Sequence, residues 1–310
     1  MFFYKSISPK HLMERKTQYY PYFLIILLFL IVNTSVFAQL SPLVSVYYQN
    51  QYLANPAFSG YQKGLNVNAN YKHDLVGESG TSVNNTLTLD YQYNKMGFGL
   101  NVSMDKDGLI NANRYLASYA YHLNISEGKA LHFGLSAGIT TENLNMGAII
   151  GDMDDDLVMQ YNNQMQPSFD ADFGLAYTDK NLTAQFTIPN MRSILQKQDV
   201  DRIYTPTTFF SAISYKFDGK AGHIEPKIVY RGLRNYDSVL DAGVNLSTPT
   251  NNFNALLMYH SSNNATLGFG FTFQQNYQFQ LAYSTPTVST LRQYSPGNFQ
   301  VGLKLHFLQN

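Results

Sequence analysis

The sequence predicts an all-β protein, a transmembrane antiparallel β-barrel of about fourteen strands that follows a cleaved signal peptide. Two-residue alternation of apolar and polar side chains recurs along the whole chain after the first 64 residues. The connections between these segments alternate between short and long. Charged residues make up only 14% of the chain, yet no run long enough for a spanning helix lies beyond the N-terminus. A chain so poor in charge and without spanning helices is a very large β structure or a β-barrel in a membrane. Aromatics at 15%, nearly all Tyr (24) and Phe (21), favour the barrel, because amphipathic rings gather at membrane interfaces. There is no Trp, so Tyr must supply the girdle.

The first element is the export signal, expected over residues 1–38. Lys5, Lys10, Arg15 and Lys16 precede the apolar run Phe23 to Val32, and Val36-Phe37-Ala38 presents small residues where a signal peptidase reads. Met13 would open a signal of more ordinary length. The apolar run is short for a retained transmembrane helix. Removing residues 1–38 takes away four basic and one acidic residue and leaves a net charge of about −3, which points to no nucleic-acid partner. Cysteine is absent, which excludes disulfides, thiolate catalysis, Cys-ligated zinc and a lipidated N-terminal cysteine.

A segment over residues 39–63 comes next. It is rich in aromatics and Asn and carries the turn formers Asn55-Pro56 and Ser59-Gly60. The barrel is expected over residues 64–310. Its apolar faces run Leu65 to Tyr71, Leu87 to Tyr93, Phe98 to Met104, Tyr115 to Tyr121, Leu131 to Ile139, Phe169 to Tyr177 and Leu182 to Ile188. Seven more follow, Phe209 to Phe217, Ile224 to Tyr230, Leu240 to Leu246, Phe253 to Tyr259, Leu267 to Phe273, Tyr277 to Tyr283 and Phe299 to Phe307. An even number returns both ends of a single-chain barrel to one side. Every second connection is short, as at Asn94 to Gly97, Thr178 to Asn181, Asp218 to His223, Ser247 to Asn252 and Gln274 to Asn276. The intervening ones include the long Lys72 to Thr86, Thr140 to Ser168, Pro189 to Thr208 and Ser284 to Asn298. Short connections belong on the periplasmic side, with both termini, and long ones outside. His122 to Ala130 is the misfit, long for a periplasmic turn.

A soluble sandwich would also alternate, but its wet face would carry Lys and Glu. Here that face is Asn, Gln, Ser, Thr and Gly, as in Asn66-Asn68-Asn70, which suits a crowded lumen. The charges that do lie on it are Asp90, Asp170, Asp172, Lys216, Glu225, Lys227, Asp241 and Lys304. Inside a lumen they must pair or meet water, as a locking network or as the lining of a conduit. The final strand ends on Phe307, like the aromatic C-terminal strand that outer-membrane assembly machinery recognises.

No motif demands catalysis. Gly134-Leu135-Ser136-Ala137-Gly138 spells a nucleophile elbow, but that motif works at a sharp strand-to-helix turn and here lies inside an alternating strand. Ser126 and Lys129 have no partner motif. Asp152, Asp154, Asp155 and Asp156 form an acidic cluster without the Gly and Glu pattern of a calcium loop, and the seven His are scattered without ligand spacing. No catalytic residue, cofactor or metal is expected, and Asn-x-Ser triplets such as Asn101-Val102-Ser103 are accidents of composition.

The run Tyr47-Tyr48-Gln49-Asn50-Gln51-Tyr52-Leu53-Ala54-Asn55-Pro56-Ala57-Phe58-Ser59-Gly60 resembles the N-terminal signature of the PorP/SprF family of type IX secretion system outer-membrane proteins, a Tyr-x-x-Asn-x-x-x-x-Asn-Pro-Ala-aromatic-small-Gly pattern. Tyr71-Lys72-His73-Asp74-Leu75 resembles the family's next segment, with Lys in place of Arg and Leu in place of Trp. The resemblance implies a non-enzymatic barrel that works with other type IX secretion components and helps export or hold a cargo such as a large surface adhesin, often in gliding bacteria. The residues expected to form a plug or partner-docking segment are Tyr47, Tyr48, Asn50, Tyr52, Leu53, Asn55, Pro56, Ala57, Phe58 and Gly60. The alternative is an outer-membrane porin or substrate-specific channel, which a fourteen-strand lumen is wide enough to form if nothing fills it.

Overall fold

The computed structural model describes residues 47–75, 81–144, 167–191, 207–233, 236–288 and 296–307. Strands β1 (Leu65–Asp74), β2 (Val83–Tyr93), β3 (Met96–Asp107), β4 (Ile110–Ser126), β5 (Lys129–Leu144), β6 (Ser168–Thr178) and β7 (Leu182–Ile188) follow one another as antiparallel neighbours. Then come β8 (Thr207–Tyr215), the three-residue β9 (Phe217–Gly219), β10 (Gly222–Leu233), β11 (Tyr236–Ser247), β12 (Phe253–His260), β13 (Asn264–Phe273), β14 (Tyr277–Pro286) and β15 (Asn298–Phe307). β1 pairs with β15 from Leu65↔Phe307 to Asp74↔Asn298, and β10 pairs with both β8 and β11. The sheet therefore closes on itself as a fourteen-stranded antiparallel barrel, with β9 an extra hairpin arm on β10. Closure leaves no open edge, which is what lets strands cross lipid. Among the described residues no helix is long and apolar enough to do so.

The alternation sets which face each residue takes. Asn66, Asn68 and Asn70 are buried in the lumen, while apolar side chains on the opposite faces stand half exposed on the outside, Leu135 at 57% and Phe169 at 64%. An outward belt of Leu, Ile, Phe and Tyr around every strand is the reverse of a soluble protein and is the surface that lipid covers.

The expected misfit at His122 to Ala130 disappears. β4 and β5 continue their pairing to Ser126↔Lys129, so the connection is the two-residue turn Glu127-Gly128, with Gly128 at φ +76°. The alternation persists through Leu123 and Ile125, both exposed. At the other end of the barrel the length rule is looser than expected, since β3 and β4 join through Gly108-Leu109 and β12 and β13 through Ser261 to Asn263. The two ends are called here the short-turn end, where β1 begins, and the long-loop end.

Of the charges assigned to the lumen, Asp90, Asp170, Asp172, Lys227 and Asp241 are buried there. Lys216 lies one residue past the end of β8, in phase with the inward Ser214, half exposed at the short-turn hairpin and 4.0 Å from Asp218. Two arginines that the expectation passed over join the luminal set. Arg114 donates to Asp170 (2.6 Å) and Asp172 (2.5 Å), and Arg231 forks onto Asp241 (2.8 and 3.1 Å). Asp241 also faces His260 Nδ1 at 2.7 Å, and the chain continues through Thr266 to Ser284, tying β10 to β14. Both clusters sit toward the long-loop end.

Candidate functional site: the segment inside the barrel

Residues 47–60 lie inside the lumen, and the elements they form are local and short. Helix α1 (Gln51–Ala54) is capped by Asn50, whose Oδ1 accepts Leu53 N–H at 3.3 Å. Asn55 ends it in extended backbone and caps the next turn, a 3₁₀ helix over Pro56–Phe58 with Pro at its start. Gly60, at φ +62°, then turns the chain toward β1, and a Cβ there would lie 2.6 Å from Gly97 Cα.

Neither helix is long enough to be stable alone. The contacts with the wall hold them. Asn50 Nδ2 donates to Thr88 Oγ1 on β2 (2.7 Å) and Tyr52 OH to Ser118 Oγ on β4 (2.7 Å), which lies 2.6 Å from Ser136 Oγ on β5. Asn55 is fully buried. Its amide donates to Leu175 O (3.2 Å), Gln185 Oε1 (3.3 Å) and Phe186 O (3.4 Å), bridging β6 and β7, while its Oδ1 accepts Ala57 N–H (2.9 Å). Gly60 N–H donates to Asp90 on β2 at 3.1 Å. Ala57 and Phe58 are buried, and Tyr52, Ala57, Phe58 and Ala176 form one apolar cluster.

The N-terminal part of the segment is held more loosely. Tyr47 packs edge-on against Phe210 (5.2 Å), and the Lys227 ammonium sits 4.0 Å over the Tyr48 ring. Lys227 reaches Tyr47 O only at 3.4 Å and Lys304 reaches Gln49 O at 3.5 Å. Burial raises the phenol pKa of Tyr47, Tyr48 and Tyr52, reinforced at Tyr48 by Glu225, so the rings meet the wall uncharged.

The wall is shaped to receive this segment. Gly97, Gly99, Gly134 and Gly174 all face inward where it passes, and a Cβ at any of them would strike it. At Gly97 the obstacle is the Ser59 carbonyl, at Gly99 the Tyr52 hydroxyl, at Gly134 the Pro56-Ala57 peptide and at Gly174 the Asn55 side chain. Gly134 is the first glycine of the elbow-like motif, and Ser136 lies mid-strand with its hydroxyl 2.6 Å from that of Ser118. Space for Pro56-Ala57 explains that glycine, and among the described residues no base is hydrogen-bonded to the serine.

All ten residues singled out in the sequence are therefore brought together in the lumen, Leu53 half-buried among them. Thr88, Ser118, Gln185, Gly97, Gly99 and Gly174 carry no motif in the sequence, and Gly134 stands there only in the elbow-like run. They share one recoverable signal, the inward parity of their strands. His122 and His132, which look unrelated in sequence, are direct cross-strand partners in β4 and β5 beneath the segment, with Nδ1 atoms 2.8 Å apart. Among the described residues no group of three or more acidic, His or Cys side chains could hold a metal. The acidic cluster at Asp152 to Asp156 and the export signal lie outside the described residues.

Solved structures with a similar fold include the Pseudomonas putida toluene transporter TodX, 11% identical over 84% of this chain and 95% of that one with a TM-score of 0.48. Another is the Acinetobacter baumannii outer membrane protein Omp33, 8% identical over 80% and 100% with a TM-score of 0.45. No curated protein matches the sequence. Residues 36–305 match the family model described as type IX secretion system membrane protein PorP/SprF, and the chain belongs to that family.

Proposed function

We propose that this barrel is a non-enzymatic, partner-binding component of the type IX secretion system that helps export or attach a surface cargo such as a large adhesin. Its short-turn end would face the periplasm, with both termini on that side. The observation that carries the reading is the position of residues 47–60 within the barrel. A diffusion channel needs an open bore, whereas here residues 47–60 cross it and bond to strands on several sides. Family membership supplies the secretion context.

In this reading the export signal spans residues 1–38, and residues 39–63 form a plug or docking segment through which the machine's periplasmic parts act on the barrel. The test is removal of the gene in its native host, followed by surface proteomics. Loss from the surface of a large secreted protein, with its retention in the periplasm, is the expected outcome. An unchanged surface proteome would overturn the proposal.

A further inference from the structure

We propose that the cross-strand pair His122–His132 is an acid-operated latch on the luminal segment. It holds the Ser59 carbonyl while the pair carries at most one proton beyond neutrality and releases it when a second binds. The proposal concerns how the segment is held and stands whichever cargo the barrel serves.

The hydrogen bonds fix where the protons sit. His122 Nε2 lies 3.1 Å from Ser59 O, and a carbonyl only accepts, so Nε2 carries hydrogen. In the neutral ring His122 Nδ1 is then an acceptor. It lies 2.8 Å from His132 Nδ1, which must donate to it. His132 Nε2 is in turn the acceptor of the Thr178 hydroxyl at 2.9 Å. One neutral arrangement thus satisfies Ser59, both imidazoles and Thr178.

A first added proton is accommodated. It binds His132 Nε2, and the Thr178 hydroxyl rotates from donor to acceptor with all three contacts kept. A second proton has only His122 Nδ1 left to bind, where the His132 Nδ1–H already points. Two N–H groups and two positive charges would then face each other across 2.8 Å, in side chains 5% and 2% exposed. The pair must separate, and the freed His122 ring takes with it the donor that holds Ser59. Phe58 and Tyr61, whose rings lie 6.0 and 5.2 Å from His132, lose their packing partner at the same moment.

The titratable surroundings offer little compensation. Tyr61 faces the pair from the segment, and Asp90 on β2 is committed to Gly60 N–H and the Asn66 amide. Lys95 contributes only its carbonyl, which accepts His122 N–H at 2.8 Å. Lys129 and Asp179, near the turns below, are 3.8 Å apart and half exposed. Among the described residues neither imidazole has a carboxylate within ion-pair distance. Asp90 could itself take up a proton and loosen Gly60, so the experiment must separate the two triggers.

The chain has no cysteine, and Ser59 is fully buried with its hydroxyl beside that of Tyr52, so Ser59→Cys places a single hidden thiol at the latch and leaves in place the Ser59 carbonyl that His122 holds. Labelling with 4,4′-dithiodipyridine, which reacts with thiols in acid, is measured from pH 7 to pH 4 on the refolded full chain and divided by the rate for denatured protein at the same pH. The expected result is a rise on the order of tenfold, with the steepness of a two-proton step, as the segment opens locally. Adding His132→Gln, or His122→Gln if the first does not fold by heat-modifiable electrophoresis, should flatten the profile, and adding Asp90→Asn should leave the rise in place. A flat profile in Ser59→Cys alone overturns the proposal. So does an equal rise in the His→Gln variants, or loss of the rise with Asp90→Asn.

Discussion

Replacing Asn55 by alanine probes what holds the luminal segment. The side chain is fully buried, and its removal leaves Ala57 N–H without its 2.9 Å acceptor and Gln185 Oε1 without its 3.3 Å donor, both in the interior. A lost cap costs about 1 kcal/mol and a stranded buried acceptor about 1–3 kcal/mol, so the seated state should weaken by roughly 3 kcal/mol. At 1.4 kcal/mol per tenfold, exposure of the segment should rise on the order of a hundredfold. The assay is thiol labelling of Ser59→Cys at neutral pH with and without Asn55→Ala, with the barrel checked by heat-modifiable migration. A change of less than about threefold would refute the reasoning, because the bonds to β6 and β7 would then contribute little beyond what water supplies.

Other expectations follow from the same geometry. Gly134→Leu places a side chain where Pro56-Ala57 sits, so it should expel the segment yet leave the barrel folded, read as increased protease cleavage near residue 57. Arg231→Ala leaves the fully buried Asp241 carboxylate with His260 as its remaining ion-pair partner and should lower unfolding stability in urea by about 3 kcal/mol, whereas Arg231→Met with Asp241→Leu should recover most of it. Leu135→Arg, on the lipid face mid-strand, should destabilise folding into bilayers by about 2–4 kcal/mol. Ser136→Ala should leave the fold unchanged, since among the described residues that hydroxyl bonds to Ser118.

The barrel was legible because a period of two is a strong signal and lipid on one side with a polar lumen on the other keeps it clean. The long connection at His122 to Ala130 resolves the same way, for Leu123 and Ile125 carry the alternation to the turn. Arg114 and Arg231 each lie one residue beyond a run of clean alternation, at Tyr115 and Tyr230, and in phase with its inward face. Residues 47–60 have no period at all. Their turn formers mark them as irregular, but which strands they touch depends on contacts as remote as Asn55 with Gln185 and Gln49 with Lys304, which no local pattern encodes. The histidine pair is hidden similarly, since two residues ten apart meet only once the turn at Glu127-Gly128 fixes the register.

The luminal segment also explains features that otherwise look unrelated. Four inward glycines, an elbow-like motif and two lysines, Lys227 and Lys304, that reach backbone carbonyls all lie along its path. A wall fitted so closely to its own N-terminal segment gives its polar lining a set of partners in that segment.

Single-channel recording in planar bilayers tests this most directly. The purified full chain should show no steady open pore, and deletion of residues 47–60 should open one. A steady conductance in the intact protein, unchanged by the deletion, would contradict the filled lumen and return the barrel to the class of diffusion channels.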